Sequence, residues 1–189
     1  PDPKWFVHAK KLAEEMITNF TDDAGGFYDT GKNHEELIIR PKDLQDNATP
    51  SGNSLAANAL LIMASYTGNG EWVDLAVDML TKLKEIIKKH PSSFGNWLCA
   101  MDYAVSNVQE IAIIGEPDLQ ETQELINELW SKLRINSISA ISSLPIAKNA
   151  PALLDQRELV DGKPSAYVCE HFVCKTPVTT AKELRQLLL

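Results

Sequence analysis

Apolar side chains recur at every third or fourth residue through the first half of the chain. In the first segment the stripe consists of Trp5, Ala9, Leu12, Met16 and Phe20, and it predicts a helix from about residue 3 to 20 with this stripe facing a core. Similar patterns predict further helices at 51–67, 72–90 and 94–105. Gly68 and Gly70 leave a short link between the second and third helices, which favours antiparallel packing. Ser92 or Ser93 is the expected cap of the fourth.

The hydrophobic period changes at Val108. Two β-branched runs, at 109–114 and 137–142, predict strands, and the segment 117–133 between them has the spacing of a helix. A strand, helix and strand of these lengths indicate a parallel βαβ crossover. The sequence therefore predicts a mainly α fold with antiparallel helical hairpins at 1–107 and a small α/β C-terminal unit at 108–189.

The tail of the α/β unit gives two weaker signals. The run AYVCEHFVC is expected to be extended, and Thr180 with Glu183 predicts a capping box that opens a last short helix.

Composition narrows the classes of partner. The 189 residues are 44% hydrophobic, enough for a core, and carry a net charge of −8, which disfavours a nucleic-acid partner. We expect no membrane partner, because no apolar run approaches the ~20 residues of a membrane span. Three cysteines are too few for a disulfide scaffold and favour a reducing, cytoplasmic location.

The stretch 38–53, IIRPKDLQDNATPSGN, contains more polar and backbone-special residues than a simple connection needs. Pro50 and Gly52 fix its backbone, and Ser51 or Asn53 can cap the helix that follows. Because a helix N-terminus offers free N–H groups, this stretch favours an anionic or hydroxyl-rich ligand. An ordinary capped loop is the alternative.

Sugar epimerisation and glycoside hydrolysis both need titratable groups placed across a pocket. We therefore take Asp29 and Asp46 as candidate catalytic carboxylates. The candidate substrate-binding residues are Arg40, Lys42, Asp43, Thr49, Ser51 and Asn53. A loop-bracing ion pair of Arg40 with Asp43 or Asp46 is an equal alternative. We expect no cofactor and no metal.

Cys169 and Cys174 flank Glu170 and His171. A fully extended step of five residues separates two Cα atoms by more than the roughly 7 Å that a disulfide allows, although a turn or bulge could bring them together. We expect reduced structural thiols first, reversible redox pairing second and metal binding third. Cys99, in an apolar helix, is expected to be core.

Four motifs carry a resemblance to a known family: GGFYDT, RPKDLQDNATPSGNSLAANALL, EIAIIGEP and AYVCEHFVCKTPVTTAKEL. In this order and spacing they resemble the C-terminal part of the spermatogenesis-associated, thioredoxin-like protein family. The resemblance implies an N-terminal thioredoxin-like domain followed by an (α/α) toroid similar to N-acylglucosamine 2-epimerases and six-hairpin glycosidases, with no established activity. This chain has no thioredoxin-like part and about two hairpins, so we expect a fragment with a partial toroid.

Two function classes follow. A carbohydrate-like small-molecule site, acting as a sugar epimerase or isomerase or as a glycosidase, requires Asp29, Arg40 and Asp46 to face one cavity. A non-catalytic interaction or scaffold domain for a thioredoxin-like redox module requires the same side chains to be used in ion pairs and caps, with an apolar surface left open. The expected partners are the N-terminal remainder of the parent protein, with its thioredoxin-like domain, and a second copy of the chain in a homo-oligomer.

Overall fold

A computed structural model describes residues 2–34 and 38–189 of the chain. Six α-helices and four strands lie in the described part, which is about 48% helical. The helices are α1 (Lys4–Phe20), α2 (Gly52–Thr67), α3 (Gly70–Lys89), α4 (Gly95–Val105), α5 (Gln120–Trp130) and α6 (Ala181–Leu187). The strands are β1 (Gln109–Ile114), β2 (Ser137–Ser142), β3 (Ser165–Glu170) and β4 (Val173–Cys174). A mainly α chain with a small α/β unit is confirmed.

The chain forms two compact units. The helical unit contains residues 8–64 and 69–106, and the sheet unit contains 107–189 with short stretches up to residue 7 and at 65–68.

The core of the helical unit is built on α2. Its buried apolar side chains are Ala56, Ala57, Leu60, Leu61, Met63 and Ala64. Helix α3 buries one stripe at helical spacing, Trp72, Ala76, Met79, Leu80, Leu83 and Ile87, as its sequence pattern predicts. Helix α4 adds Trp97 and Ala100.

The predicted inward stripe of α1 is partly wrong. Trp5 is 72% exposed and Leu12 is 65% exposed. The buried face is instead centred on Ala13, with Ala9 and Met16 half-buried beside it. Leu12 lies about 100° around the helix from Ala13, so the two cannot share one narrow buried face.

The sheet unit contains a four-stranded mixed sheet in the order β2-β1-β3-β4. The predicted parallel pairing is confirmed, with Gln109 opposite Ser137 and Ile114 opposite Ser142. Strand β3 runs antiparallel to β1. Successive β1 residues enter different clusters, Ile111 and Ile113 on one face and Ala112 and Ile114 on the other, so the strand is buried on both faces.

The end of the sheet differs from the predicted extended segment. The chain reverses at His171 and Phe172, which adopt positive φ angles of 51° and 61°, and β4 returns antiparallel to β3. A two-residue hairpin turn with both residues at positive φ suits the right-handed twist of the strands it joins. Further along, Thr180 caps α6 as predicted by accepting a hydrogen bond from the Glu183 N–H.

Candidate functional site

Asp46 lies at the centre of the polar loop and is 8% exposed. One carboxylate oxygen, Oδ1, accepts hydrogen bonds from the Ser51 N–H at 2.9 Å and the Ser54 hydroxyl at 2.6 Å. The other, Oδ2, accepts from the N–H groups of Asn96 at 2.8 Å and Trp97 at 3.4 Å. Asp46 therefore bonds to the first turns of both α2 and α4.

This arrangement explains how the two helices begin. Ser51 caps α2, because its hydroxyl accepts from the Ser54 N–H at 3.1 Å. Neither Ser92 nor Ser93 caps α4, since the residue before that helix is Phe94 and no side chain there makes a cap bond. The Asp46 carboxylate takes that role from a distant part of the sequence, and its charge suits the positive end of the helix dipole.

The electrostatics of Asp46 follow from the same contacts. Burial raises its pKa, but the hydrogen bonds from Ser54, Ser51, Asn96 and Trp97 outweigh burial and leave the pKa below its ordinary value of 3.8. Asp46 is therefore an ionised internal anion near neutral pH. It occupies the type of position at which the sequence suggested an anionic ligand.

Asn53 is almost completely buried, and both the oxygen and the nitrogen of its side-chain amide form hydrogen bonds within the protein. Its Oδ1 accepts from the Phe27 N–H at 2.8 Å, and its Nδ2 donates to the carbonyls of Phe27 at 2.8 Å and Asp43 at 3.0 Å. Gly26 permits this approach, because a Cβ there would lie 2.7 Å from Asn53 Oδ1 and its φ is +76°. Asn53 thus joins the polar loop to the turn after α1.

The side chains of Asp29 and Arg40 also form hydrogen bonds with nearby backbone groups. The Asp29 carboxylate accepts from the Asp43 N–H at 3.0 Å and 3.3 Å. Arg40 donates through Nη2 to the Thr30 carbonyl, and its guanidinium lies 4.0 Å from the Tyr28 ring centroid. The Arg40 Nε is buried without an acceptor among the described residues.

Lys42 pairs with Asp22 and also donates to the Gly25 carbonyl at 2.7 Å. The Lys42 hydrogen bond, supported by one from the Ala24 N–H, lowers the pKa of Asp22 to about 2. Thr49, the last candidate, is exposed, and its carbonyl accepts a hydrogen bond from Asn47.

A cavity of about 220 Å³ lies in the helical unit beside this loop. Its lining includes Gly25, Lys42, Asn53, Met79, Lys82 and Trp97. The structure thus brings two of the candidate substrate-binding residues, Lys42 and Asn53, to one cavity. Asp29, Arg40 and Asp46 are not among the described residues that line it. Their catalytic and binding assignments stay predictions.

Sequence reasoning missed Asn96 and Lys82, which come from α4 and α3. Neither residue stands in a motif with the loop, so no local spacing pointed to them. Ser54 could have been found, because it lies three residues after the cap Ser51.

Cys169 and Cys174 form a disulfide, whereas reduced thiols were the first expectation. The hairpin places the two residues directly opposite each other with their Cα atoms 3.8 Å apart, which an extended segment could not do. Arg157 Nη2 lies 2.9 Å from the Cys174 Sγ and 3.7 Å from the Cys169 Sγ. Arg157 belongs to a distant loop and carried no sequence signal.

The expectation that Cys99 is core is wrong, because it is exposed. Helix α4 buries Trp97 and Ala100, and Cys99 points away from that face. Among the described residues, no group of three or more His, Cys, Asp or Glu side chains could hold a metal ion.

An apolar stripe remains uncovered on α2. Leu55 is 53% exposed, Ile62 is 39% exposed, and Ala59 between them is exposed as well. These residues follow the i, i+4, i+7 spacing of a single helix face. The remaining apolar residues of α2 are largely buried, so this face is the exposed part of an apolar helix.

Comparison with known proteins gives relatives that are much longer. No protein-family profile matches the chain. It is 30% identical over 190 residues to human spermatogenesis-associated protein 20, covering 97% of this chain and 24% of that protein. The mouse protein of the same name is 28% identical over 193 residues, covering 99% and 24%. An uncharacterized protein of Caenorhabditis elegans is 24% identical over 188 residues, covering 96% and 24%.

These matches support the resemblance to the C-terminal part of the spermatogenesis-associated family. The chain spans about a quarter of the length of the curated relatives it matches. Within the described residues, every helix is too short or too polar to cross a membrane.

Proposed function

We propose that this chain, a region similar to the C-terminal part of the spermatogenesis-associated family, is a non-catalytic interaction domain within a longer protein. The observation that carries the proposal is the bonding of Asp46, whose two carboxylate oxygens accept four hydrogen bonds from the chain itself. The two function classes differ in what they require of this side chain, and its use as an internal cap supports the interaction domain.

Catalysis by Asp46 would require lone pairs free to reach a substrate proton or carbon. Its burial and its four donors oppose that role. A general acid or base works best with a pKa near the working pH, whereas hydrogen bonding lowers the pKa of Asp46 despite its burial. The Asp29 carboxylate, the other candidate, already accepts from the Asp43 N–H through both oxygens.

The surface that we propose for the interaction is the α2 stripe of Leu55, Ala59 and Ile62. A helix facing water normally carries polar residues on its outer face, and this one is apolar there. Apolar surface of this kind marks interaction sites when it is contiguous. The sheet unit also exposes large apolar side chains at Trp130, the last residue of α5, and at Leu133 shortly after it.

The partner that we propose is the remainder of the longer protein, including a thioredoxin-like redox domain. The length of the relatives supports an intramolecular partner, because about three quarters of each relative lies outside the matched region. A second copy of this chain is the competing occupant.

The test is a titration of the purified chain with the separately expressed remainder of its parent protein, measured by calorimetry. We expect binding by the wild type, loss of binding for Leu55→Glu, and wild-type binding for the control Thr81→Glu, which adds the same charge to an exposed position of α3. Equal binding by both variants would contradict the proposed surface. A wild-type dimer that Leu55→Glu converts to monomer would assign the stripe to a second copy instead.

The cavity supports a second candidate, a carbohydrate-like small-molecule site in a partial (α/α) toroid of the epimerase or glycosidase type. Lys42, Lys82 and Trp97 are among the residues that line it, which gives it two cationic side chains and one aromatic one. A ligand that binds only the folded chain must raise its melting temperature. A sugar that does so for the wild type and not for Lys82→Met would favour this candidate. Turnover of that sugar would overturn the non-catalytic proposal.

A further inference from the structure

We propose that Cys169 and Cys174 form an exchangeable redox pair, which a dithiol reduces by thiol–disulfide exchange while Arg157 stabilises the thiolates that are released. This site lies in the sheet unit and is independent of the interaction surface on α2. Three features of the pair carry the proposal: its hairpin, its unequal exposure and its cation.

The hairpin holds the two cysteines together with or without the disulfide. Glu110 on β1 accepts a hydrogen bond from the Phe172 N–H in the turn at 2.7 Å, and the Lys175 N–H donates to the Val168 carbonyl at 3.0 Å. The bond itself joins residues only five apart in sequence, and a loop this short loses little entropy on closure. Its contribution to stability is therefore small, and opening it leaves the thiols facing each other for reoxidation.

The two sulfur atoms differ in access. Cys169 is completely buried, whereas Cys174 is partly exposed at the end of the sheet. An incoming thiolate therefore reaches the Cys174 Sγ first. Exchange rates depend on which sulfur can be attacked and on how well the other leaves as a thiolate.

Arg157 supplies the positive charge that a leaving thiolate needs. In the oxidised pair its Nη2 faces two neutral sulfur atoms, at 2.9 Å and 3.7 Å. Its Nε is buried with no acceptor among the described residues. Because a thiolate is a much better partner for a guanidinium than a neutral disulfide, the interaction favours the reduced state. Tyr167, whose ring centroid is 5.1 Å from the guanidinium carbon, helps to hold Arg157 in place.

The exchange balances in two steps. One thiolate of the dithiol attacks Cys174 Sγ, forms a mixed disulfide with it, and breaks the bond to Cys169, which leaves as a thiolate beside Arg157. The second thiol of the dithiol loses its proton to solvent, and its sulfur attacks the mixed disulfide and releases Cys174 as a thiolate. The dithiol becomes a disulfide, and two electrons pass to the pair.

Other charged groups surround the site. Glu110 faces the turn from β1, where it accepts a hydrogen bond from the Phe172 N–H, and burial raises the pKa of its carboxyl. His171 lies in the turn itself. Lys175 and Glu170 pair with each other at 3.6 Å, so their charges largely offset each other.

The test uses the Cys99→Ser background, so that two thiols remain to be counted. The folded chain is treated with reduced dithiothreitol and then alkylated with iodoacetamide, with mass spectrometry counting the added groups. We expect Cys174 to become alkylated in the folded chain and Cys169 to become alkylated when the reduced chain is afterwards denatured, while circular dichroism of the reduced chain stays native before denaturation. After reduction, Arg157→Gln should react about threefold more slowly at pH 7 for each unit by which its thiol pKa is higher, because the thiolate fraction falls while the reactivity of each thiolate rises. Arg157→Lys should keep most of the rate.

Two results would overturn the proposal. One is a pair that dithiothreitol leaves intact in the folded chain and opens only in denaturant. The other is equal alkylation rates for wild type and Arg157→Gln. If Arg157→Gln fails to fold, the pH dependence of alkylation is measured on the reduced wild type. A Cys174 thiol that ionises below the ordinary thiol pKa of about 8.5 supports the role of Arg157, and one that ionises at or above that value contradicts it.

Discussion

The Asp46 carboxylate accepts a hydrogen bond of 2.8 Å from the Asn96 N–H, although the two residues are 50 positions apart in the sequence. Through its other oxygen, Asp46 accepts from Ser51 and Ser54 at the start of α2. One buried anion therefore fastens the polar loop to the N-terminal turns of two helices. Such a group is difficult to replace, because the buried N–H groups of Ser51 and Trp97 would lose it as an acceptor.

We predict that Asp46→Ala lowers the free energy of unfolding by about 2–3 kcal/mol, because it leaves buried N–H donors of α2 and α4 without an acceptor. Denaturant unfolding followed by circular dichroism measures the change. The control Asp43→Ala removes an exposed carboxylate from the same loop, and a loss below about 1 kcal/mol is expected. Equal stability of the two variants would mean that Asp46 is not a structural cap.

The same carboxylate predicts a dependence of stability on pH. Hydrogen bonding lowers the pKa of Asp46 in the folded state below 3.8, so its contribution is fully present above that value and is lost as the pH falls through the folded pKa. The difference in melting temperature between wild type and Asp46→Ala should therefore be constant from pH 5 to 7 and shrink below about pH 4. A difference that grows on acidification would contradict the depressed pKa.

The sequence predicted the secondary-structure elements better than it predicted the tertiary contacts between side chains. Strands β1 and β2 were found with their bounds and parallel direction, because a β-branched run bounded by turns has few other stable forms. The burial of the α1 side chains was predicted less well, because Trp5 and Leu12 fit an apolar stripe and yet are exposed. An apolar pattern shows which face can be buried, and the tertiary neighbours decide how wide that face is.

The candidate site illustrates the same limit. The local sequence indicated Ser51 or Asn53 as the cap of α2, and Ser51 takes that role by accepting from the Ser54 N–H three residues later. The contact between Asp46 and Asn96 depends on how α4 meets the loop, and the one between Arg157 and Cys174 depends on where a loop meets a hairpin. Such long-range pairs have no fixed spacing in a single sequence.

We predict that Asp22 titrates with a pKa of about 2 in the folded chain, mainly because of its hydrogen bond from Lys42. Carbon NMR of the side-chain carboxyl measures it directly. In Lys42→Met the pKa of Asp22 should rise toward 3.8. The wild type gains stability from this pair above pH 3.8 and loses it as the pH falls toward 2, and Lys42→Met should lack this contribution. Lys82→Met is the control, since Lys82 pairs with Asp78. A similar rise in both variants would show that overall charge, and not the contact, sets the value.

We predict strong coupling between Glu128 on α5 and Arg185 on α6. The Glu128 side chain is nearly buried, and the hydrogen bonds from Arg185, the shortest at 2.6 Å, lower the pKa of its carboxyl. Arg185→Gln should lower the melting temperature at pH 7, because it leaves a buried carboxylate without its partner. Adding Glu128→Gln should recover part of the loss. Additive effects of the two substitutions would show that they do not interact.

The last prediction separates the two faces of α2, on which the proposed function depends. Leu60 is completely buried and Leu55 is 53% exposed, although both lie on the same helix and are the same residue type. Leu60→Ala should cost about 2–5 kcal/mol of unfolding free energy because it leaves a cavity, whereas Leu55→Ala in the isolated chain should cost less than about 1 kcal/mol. In a complex with the remainder of the parent protein, Leu55→Ala should also carry a clear cost, because Leu55 would then be buried as well and its truncation would weaken binding. Calorimetric titration of both variants, with unfolding measured on each, tests this. If Leu55→Ala binds as tightly as the wild type, the α2 stripe is an ordinary solvent-exposed surface and the interaction must use another face.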